Sequence, residues 1–91
     1  MKEITINCCA FLSRSDLHRV LADALAFPDH YGNNLDALYD VLTERAEPTC
    51  ITLEHFDRAR EFLGRYAELI VTTISQAALH NPSIDFPYPA E

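Results

Sequence analysis

The first third of the chain changes from a strand-like to a helix-like pattern of apolar positions. Apolar and polar residues alternate over residues 2–8, which predicts a first strand. Apolar residues then recur at i, i+3, i+4, i+7 and i+8, which predicts an amphipathic helix with one inward face: Leu17, Val20, Leu21, Ala24 and Leu25. Ser13 or Ser15 can cap this helix. It ends at Phe27-Pro28, because the residue before a proline is disfavoured in the α region.

The next segment predicts a loop and a second helix. Residues 28–34 combine proline, aspartate, glycine and asparagine, a composition typical of a loop. Asn33 or Asn34 can cap the helix that follows. That helix spans residues 35–44 and turns a leucine stripe inward: Leu35, Leu38 and Leu42.

The second half repeats the strand and helix pattern. Residues 50–53 are apolar and partly β-branched, which predicts a short buried strand. Residues 55–63 are helical, and Gly64 then occupies the left-handed position at the helix end. Residues 65–80 form the longest helix, with the following side chains facing inward: Tyr66, Leu69, Ile70, Ile74 and Ala77. Residues 84–86 predict a last strand, which Pro87 and Pro89 confine to a sheet edge.

The predicted order is therefore β-α-α-β-α-α-β. Strands separated by helical crossovers favour a small parallel sheet packed on helices, so the predicted fold class is α/β. The length of 91 residues suits one domain, spanning residues 1–91.

Composition and charge restrict the possible partners. Apolar residues make up 48% of the chain, which excludes a disordered tail. Seven basic and 14 acidic residues give a net charge of −7, which argues against general nucleic-acid binding and suits a basic protein partner. The sequence has no apolar run of about 20 residues and no signal-peptide core at its start. We therefore expect a cytoplasmic protein that does not bind membranes.

Metal, cofactor and enzyme chemistry find little support in the sequence. The three cysteines form no C-x-x-C pair and the four histidines form no i, i+4 pair, so we expect no metal and no cofactor. We expect the cysteines to be free thiols that behave as small buried apolar groups. Nothing in the spacing requires Cys50 with His55, or Asp36 with His30, to act as a nucleophile and base. With two glycines the chain lacks a phosphate-binding loop. We expect no catalysis.

Acidic residues are concentrated in the middle of the chain. Residues 29–57 hold seven acidic residues and one basic residue, Arg45. Asp36, Asp40 and Glu44 follow one another at i, i+4 and i+8, a row of like charges that costs a few tenths of a kcal/mol per pair. This row is either a solvated surface or a binding face for a basic partner.

Three aromatic side chains lie near this row, and each has two interpretations. Tyr39 can anchor a protein interface or lie passively on the polar side of the helix. Tyr31 can contact a partner or pack on the core, and His30 can be a contact or an ordinary loop histidine.

Residues 31–40, with the sequence YGNNLDALYD, resemble the signature of the barstar family of intracellular inhibitors of secreted microbial ribonucleases. Residues 15–18 resemble the start of that family's first helix, and residues 25–28 lead into the signature. The resemblance implies a three-stranded parallel sheet with about four helices. It also implies that the second helix and the preceding loop block the active site of a basic ribonuclease in an equimolar complex.

The resemblance also implies roles for individual residues. Asp40 stands where the RNA phosphate would lie, Asp36 faces a second basic group, and Gly32 lets the loop approach the partner. A glutamate of the family's last helix aligns with Gln76, and positions often aromatic in the family hold Tyr39 and His30. The predicted partner-binding residues are His30, Tyr31, Gly32, Asn34, Asp36, Tyr39, Asp40, Glu44 and Gln76.

A second function class stays open at this point. The same acidic surface would suit an interaction module that neutralises a different nuclease toxin or another basic protein.

Overall fold

A computed structural model describes residues 2–10 and 13–87. The strands are β1 (Lys2–Asn7), β2 (Thr49–Glu54) and β3 (Ile84–Asp85), and a short 3-10 turn covers Cys8–Ala10. The helices are α1 (Arg14–Leu25), α2 (Leu35–Thr43), α3 (Phe56–Leu63) and α4 (Arg65–His80). This order confirms the predicted β-α-α-β-α-α-β arrangement and the α/β class.

The sheet is parallel throughout and has the strand order β1-β2-β3. Ile4 pairs with Ile51 in the first ladder, and Thr49 pairs with Ile84 in the second. Because β2 is the central strand, its residues alternate between buried and half-buried positions as far as Leu53, and only Glu54 at its end is exposed. β3 lies at the edge, as the flanking prolines predicted, and it contains two residues rather than three.

The core lies between the sheet and the apolar faces of the helices. Leu38 and Leu42 of α2 are fully buried, and α2 packs against α4. One prediction for α4 was wrong: Leu69 is 37% exposed, and its place in the inward stripe is taken by Val71. Ile70 and Val71 already fill the side of the helix that faces the core, and Leu69 is rotated about 100° away from Ile70.

The helix ends settle one alternative and correct one prediction. Ser13, not Ser15, caps α1, because its Oγ accepts a hydrogen bond from the amide of Asp16. The helix ends at Leu25, where Ala26 adopts a left-handed conformation just before Phe27-Pro28. Gly64 has φ 57° and ψ −132°, so its φ is positive as predicted but its backbone is not the left-handed helical conformation.

The cysteines differ from one another in burial. Cys8 is buried and burial raises the pKa of its thiol to about 11, so this thiol stays protonated. Cys9 is exposed and Cys50 is half-buried, so the prediction of buried thiols is wrong for Cys9. Cys8 lies just after β1 in the 3-10 turn rather than in the strand. All three cysteines are free.

In the described ranges, no helix has both the length and the apolar character needed to cross a membrane. The same residues contain no group of three or more histidine, cysteine or acidic side chains arranged to hold a metal ion.

Candidate functional site

Helix α2 exposes three carboxylates on the side away from the core. Its leucines Leu38 and Leu42 are buried in the core and α2 packs against α4, which fixes the orientation of the helix. Asp36, Asp40 and Glu44 are all exposed, and we call them the acidic face. Glu44 is the C-cap residue of α2, so the face extends along the whole helix.

The acidic face is not neutralised within the described part of the chain. The ion pairs there are Arg19–Asp16, Arg45–Glu47 and Arg58–Glu61, and none involves α2. Arg45, the one base in the acidic segment, donates from Nε to Thr49 Oγ1 at 2.8 Å and from Nη1 to the Leu25 carbonyl at 2.7 Å. Its guanidinium therefore ties α1 to β2, and its ion pair is with Glu47 rather than with the acidic face.

Asn34 organises the loop that leads into α2. Its Oδ1 accepts a hydrogen bond from the amide of Ala37 at 2.7 Å, which caps the helix. Its Nδ2 donates to the Gly32 carbonyl at 3.2 Å, which closes the turn before the helix. A Cβ at Gly32 would lie 3.1 Å from Asn34 Nδ2, so a larger residue would press on this turn. Asn33 adopts φ 53°, a conformation that asparagine tolerates better than most residues.

A buried hydrogen-bonded network supports the same loop from beneath. His18 is 1% exposed, and its two ring nitrogens lie 2.7 Å from the hydroxyls of Tyr31 and Tyr66. The network joins α1, the loop before α2 and α4. Arg14 covers the Tyr66 ring at 4.3 Å from its centroid.

The burial of Tyr31 supports one of its two interpretations. Tyr31 is 9% exposed, and burial raises the pKa of its hydroxyl, so the side chain packs on the core as a neutral hydrogen-bonding group. Its contact with a partner stays a prediction. His18 was not singled out from the sequence, although its i, i+3 and i+7 relation to Leu21 and Leu25 placed it on the inward face of α1.

The His18 network predicts a loss of stability on mild acidification. Burial lowers the pKa of His18 below its ordinary value of 6.5. At a pH between 6.5 and the lower pKa of the folded state, the unfolded chain binds a proton at His18 that the folded protein does not. The contribution of His18 to the free energy of unfolding is therefore complete above pH 6.5 and decreases as the pH falls below it. We expect urea unfolding of the parent to lose at most about 1.4 kcal/mol per pH unit in this window. In His18→Gln this contribution should be absent, and parallel pH profiles for the two proteins would contradict the assignment.

Tyr39 and His30 occupy different settings near the acidic face. Tyr39 is half-buried, and its ring meets the ring of His80 edge-on, with a centroid separation of 6.3 Å. His80 is a second residue that was not predicted, because nothing in the sequence pattern connects it with α2. His30 is exposed in the loop, directly before the buried Tyr31.

Gln76 lies on α4 one turn before His80, on the same side of that helix, and is exposed. The contact between His80 and Tyr39 thus brings this side of α4 next to α2. Apart from the buried Tyr31, the predicted residues lie on the loop before α2, on α2 with its C-cap, and on the second half of α4.

The structure separates Cys50 from His55, one of the two nucleophile and base pairs considered from the sequence. Cys50 is half-buried near the start of β2, and His55 lies five residues further along, beyond the strand end. At about 3.3 Å per residue the strand separates their backbones by roughly 16 Å, too far for a nucleophile and its base. The surface offers carboxylate acceptors, an aromatic side chain and an exposed loop.

Comparisons with known proteins agree on one family. The family model described as "Barstar (barnase inhibitor)" matches residues 1–87. A protein of Bacillus subtilis (strain 168) named "Putative ribonuclease inhibitor YrdF" is 41% identical over 78 residues, which cover 85% of this chain and 86% of that protein. Both matches include α2 and the loop before it. The chain belongs to the barstar family.

Proposed function

We propose that this protein binds a basic microbial ribonuclease in an equimolar complex and blocks its active site with α2 and the preceding loop. The observation that carries the proposal is the acidic face: three exposed carboxylates on one helix, with no basic partner among the described residues. Family membership supports a ribonuclease as the partner. The proposal includes no cofactor, no bound nucleic acid and no catalytic step.

Asp40 has the central role in the proposed complex. A ribonuclease active site holds cationic side chains that bind the RNA phosphate, and the Asp40 carboxylate would take the place of that phosphate. Charge-assisted hydrogen bonds of this kind are about twice as strong as neutral ones. Asp36 would meet a second basic group, and Glu44 and Gln76 would lie toward the edge of the contact.

The supporting residues keep the inhibitor preorganised. Asn34 fixes the turn at Gly32, and the His18–Tyr31 hydrogen bond fixes the loop on the core. A loop held in its bound conformation loses less conformational entropy on binding, which increases affinity. His30, Gly32 and Tyr39 are the proposed uncharged contacts around the carboxylates.

Salt dependence tests whether the acidic face is the contact surface. The rate of association with a barnase-type ribonuclease should fall as salt rises, because steering acts over a Debye length of about 8–10 Å near physiological ionic strength. Glu44→Gln should reduce both the rate and its salt dependence. Glu68→Gln, which removes an exposed carboxylate from the groove at the other end of α4, should reduce them much less.

Stopped-flow measurements at several salt concentrations distinguish the two surfaces. Equal effects of Glu44→Gln and Glu68→Gln, or an association rate independent of salt, would contradict the placement of the contact on α2.

A further inference from the structure

The end of α4 is fixed beside the acidic face, and its last residue is a histidine. Asn81 secures this end, because its Nδ2 donates to the carbonyls of Leu42 and Arg45 at 2.8 Å each. The His80 and Tyr39 rings then meet at 6.3 Å with an interplanar angle of 75°. His80 is therefore held at the border between α4 and α2 rather than left on an independent surface.

The elements that pack against the end of α4 carry mostly acidic side chains. His80 is exposed, and its ring nitrogens make no hydrogen bond to any residue of 2–10 or 13–87. This end of α4 packs against α2 and β3, while α3 leads into the opposite end. The charged side chains on α2, its C-cap, the following loop and β3 are Asp36, Asp40, Glu44, Arg45, Glu47 and Asp85. Arg45 and Glu47 pair with each other, so the other charged groups on these elements are carboxylates.

We propose that His80 makes the affinity for the ribonuclease depend on pH, with weaker binding when its imidazole is protonated. This inference rests on the proposed function. In the free protein a cationic imidazole would lie beside α2, the helix that carries the acidic face. In the complex the same carboxylates would be engaged by the cations of the ribonuclease, and His80 would add a like charge beside those cations, an arrangement that weakens binding.

Linkage gives the direction of the effect. Histidine side chains ordinarily change charge between about pH 5 and 8, and a complex that disfavours the protonated form must lose affinity as that form accumulates. Because His80 lies at the border of the proposed interface, we expect the affinity for the ribonuclease to fall about tenfold or more from about pH 8 to about pH 5.5.

The experiment measures the dissociation constant with a barnase-type ribonuclease at both pH values for the parent and three variants. The variants are His80→Gln, His30→Gln and His55→Asn, of which the last changes an exposed histidine before α3, away from α2. Asparagine suits position 55, whose φ is 57°. The quantity compared is the ratio of the two dissociation constants, because titration of the ribonuclease and of His18 affects every variant alike.

The expected result is a pH ratio about tenfold smaller in His80→Gln than in the parent, with the parental ratio kept in His55→Asn. If His80→Gln and the parent have equal ratios and both bind the ribonuclease tightly at pH 8, the role of His80 is overturned. The proposed function is then unaffected. A ratio that decreases only in His30→Gln would assign the effect to the loop and overturn the role of His80 too. Absence of parental binding at pH 8 would overturn the proposed function itself.

Discussion

Replacing Asp40 by alanine is expected to weaken the complex with a barnase-type ribonuclease by about 2–5 kcal/mol, or roughly 30-fold to several thousand-fold. The reason is that truncation leaves the cations of the ribonuclease active site desolvated and unpaired. This range is typical of truncating one partner of a buried, hydrogen-bonded charge pair at a protein interface. The loss should appear mainly in the dissociation rate, since the centre of the contact determines how long the complex lasts.

The same substitution should leave folding almost unchanged. Asp40 is exposed and forms no ion pair with the described residues, so its loss should alter the free energy of unfolding by less than about 0.5 kcal/mol. Glu68→Ala is the matched control, because it removes one exposed carboxylate from the other end of α4. Comparable dissociation rates for the parent and Asp40→Ala would contradict the central role of Asp40.

Replacing His18 by alanine is expected to lower the free energy of unfolding by about 2–4 kcal/mol. The imidazole is 1% exposed and bonded at 2.7 Å to two tyrosine hydroxyls, so the variant combines a cavity with a buried Tyr31 hydroxyl that has lost its partner. Urea unfolding at neutral pH measures the change. The matched control is His30→Ala, which removes an exposed loop histidine and should alter stability by less than about 0.5 kcal/mol.

The His18 substitution also separates stability from preorganisation. Because the His18–Tyr31 bond holds the loop before α2, the folded fraction of His18→Ala should bind the ribonuclease more weakly than the parent. A stability change below about 1 kcal/mol would mean that water or a neighbouring side chain replaces the imidazole.

Local patterns were sufficient to predict most of the fold. The leucine stripes of α1 and α2 recur at helical spacing, and Asn34 precedes its helix at the usual capping position, so each signal lies within a few residues. Leu69 was assigned wrongly because the periodic run on α4 is apolar on more than one side. Which apolar side chains become buried then depends on the packing of the whole domain, not on the helix alone.

The acidic face was visible in the sequence for the same reason, since i and i+4 residues share a helix side. The network around His18 was not, because His18 and Tyr66 are 48 residues apart and meet only through the tertiary fold. The hydrogen bond from the Arg45 guanidinium to the carbonyl of Leu25, which lies 20 residues earlier in the sequence, is likewise a tertiary contact. Together, these contacts decide that the acidic face remains uncompensated and that the loop beside it is held in place.

The most direct test of the proposed function is the cleavage of RNA by a barnase-type ribonuclease, titrated with the parent protein and with Asp40→Ala. The ribonuclease concentration is set well above the dissociation constant. Ribonuclease activity should then fall linearly as the parent protein is added and reach zero at an equimolar ratio. Asp40→Ala should need a large excess to inhibit to the same extent. Full ribonuclease activity in the presence of excess folded parent protein would contradict inhibition of this enzyme class and direct the search to a different nuclease or basic protein.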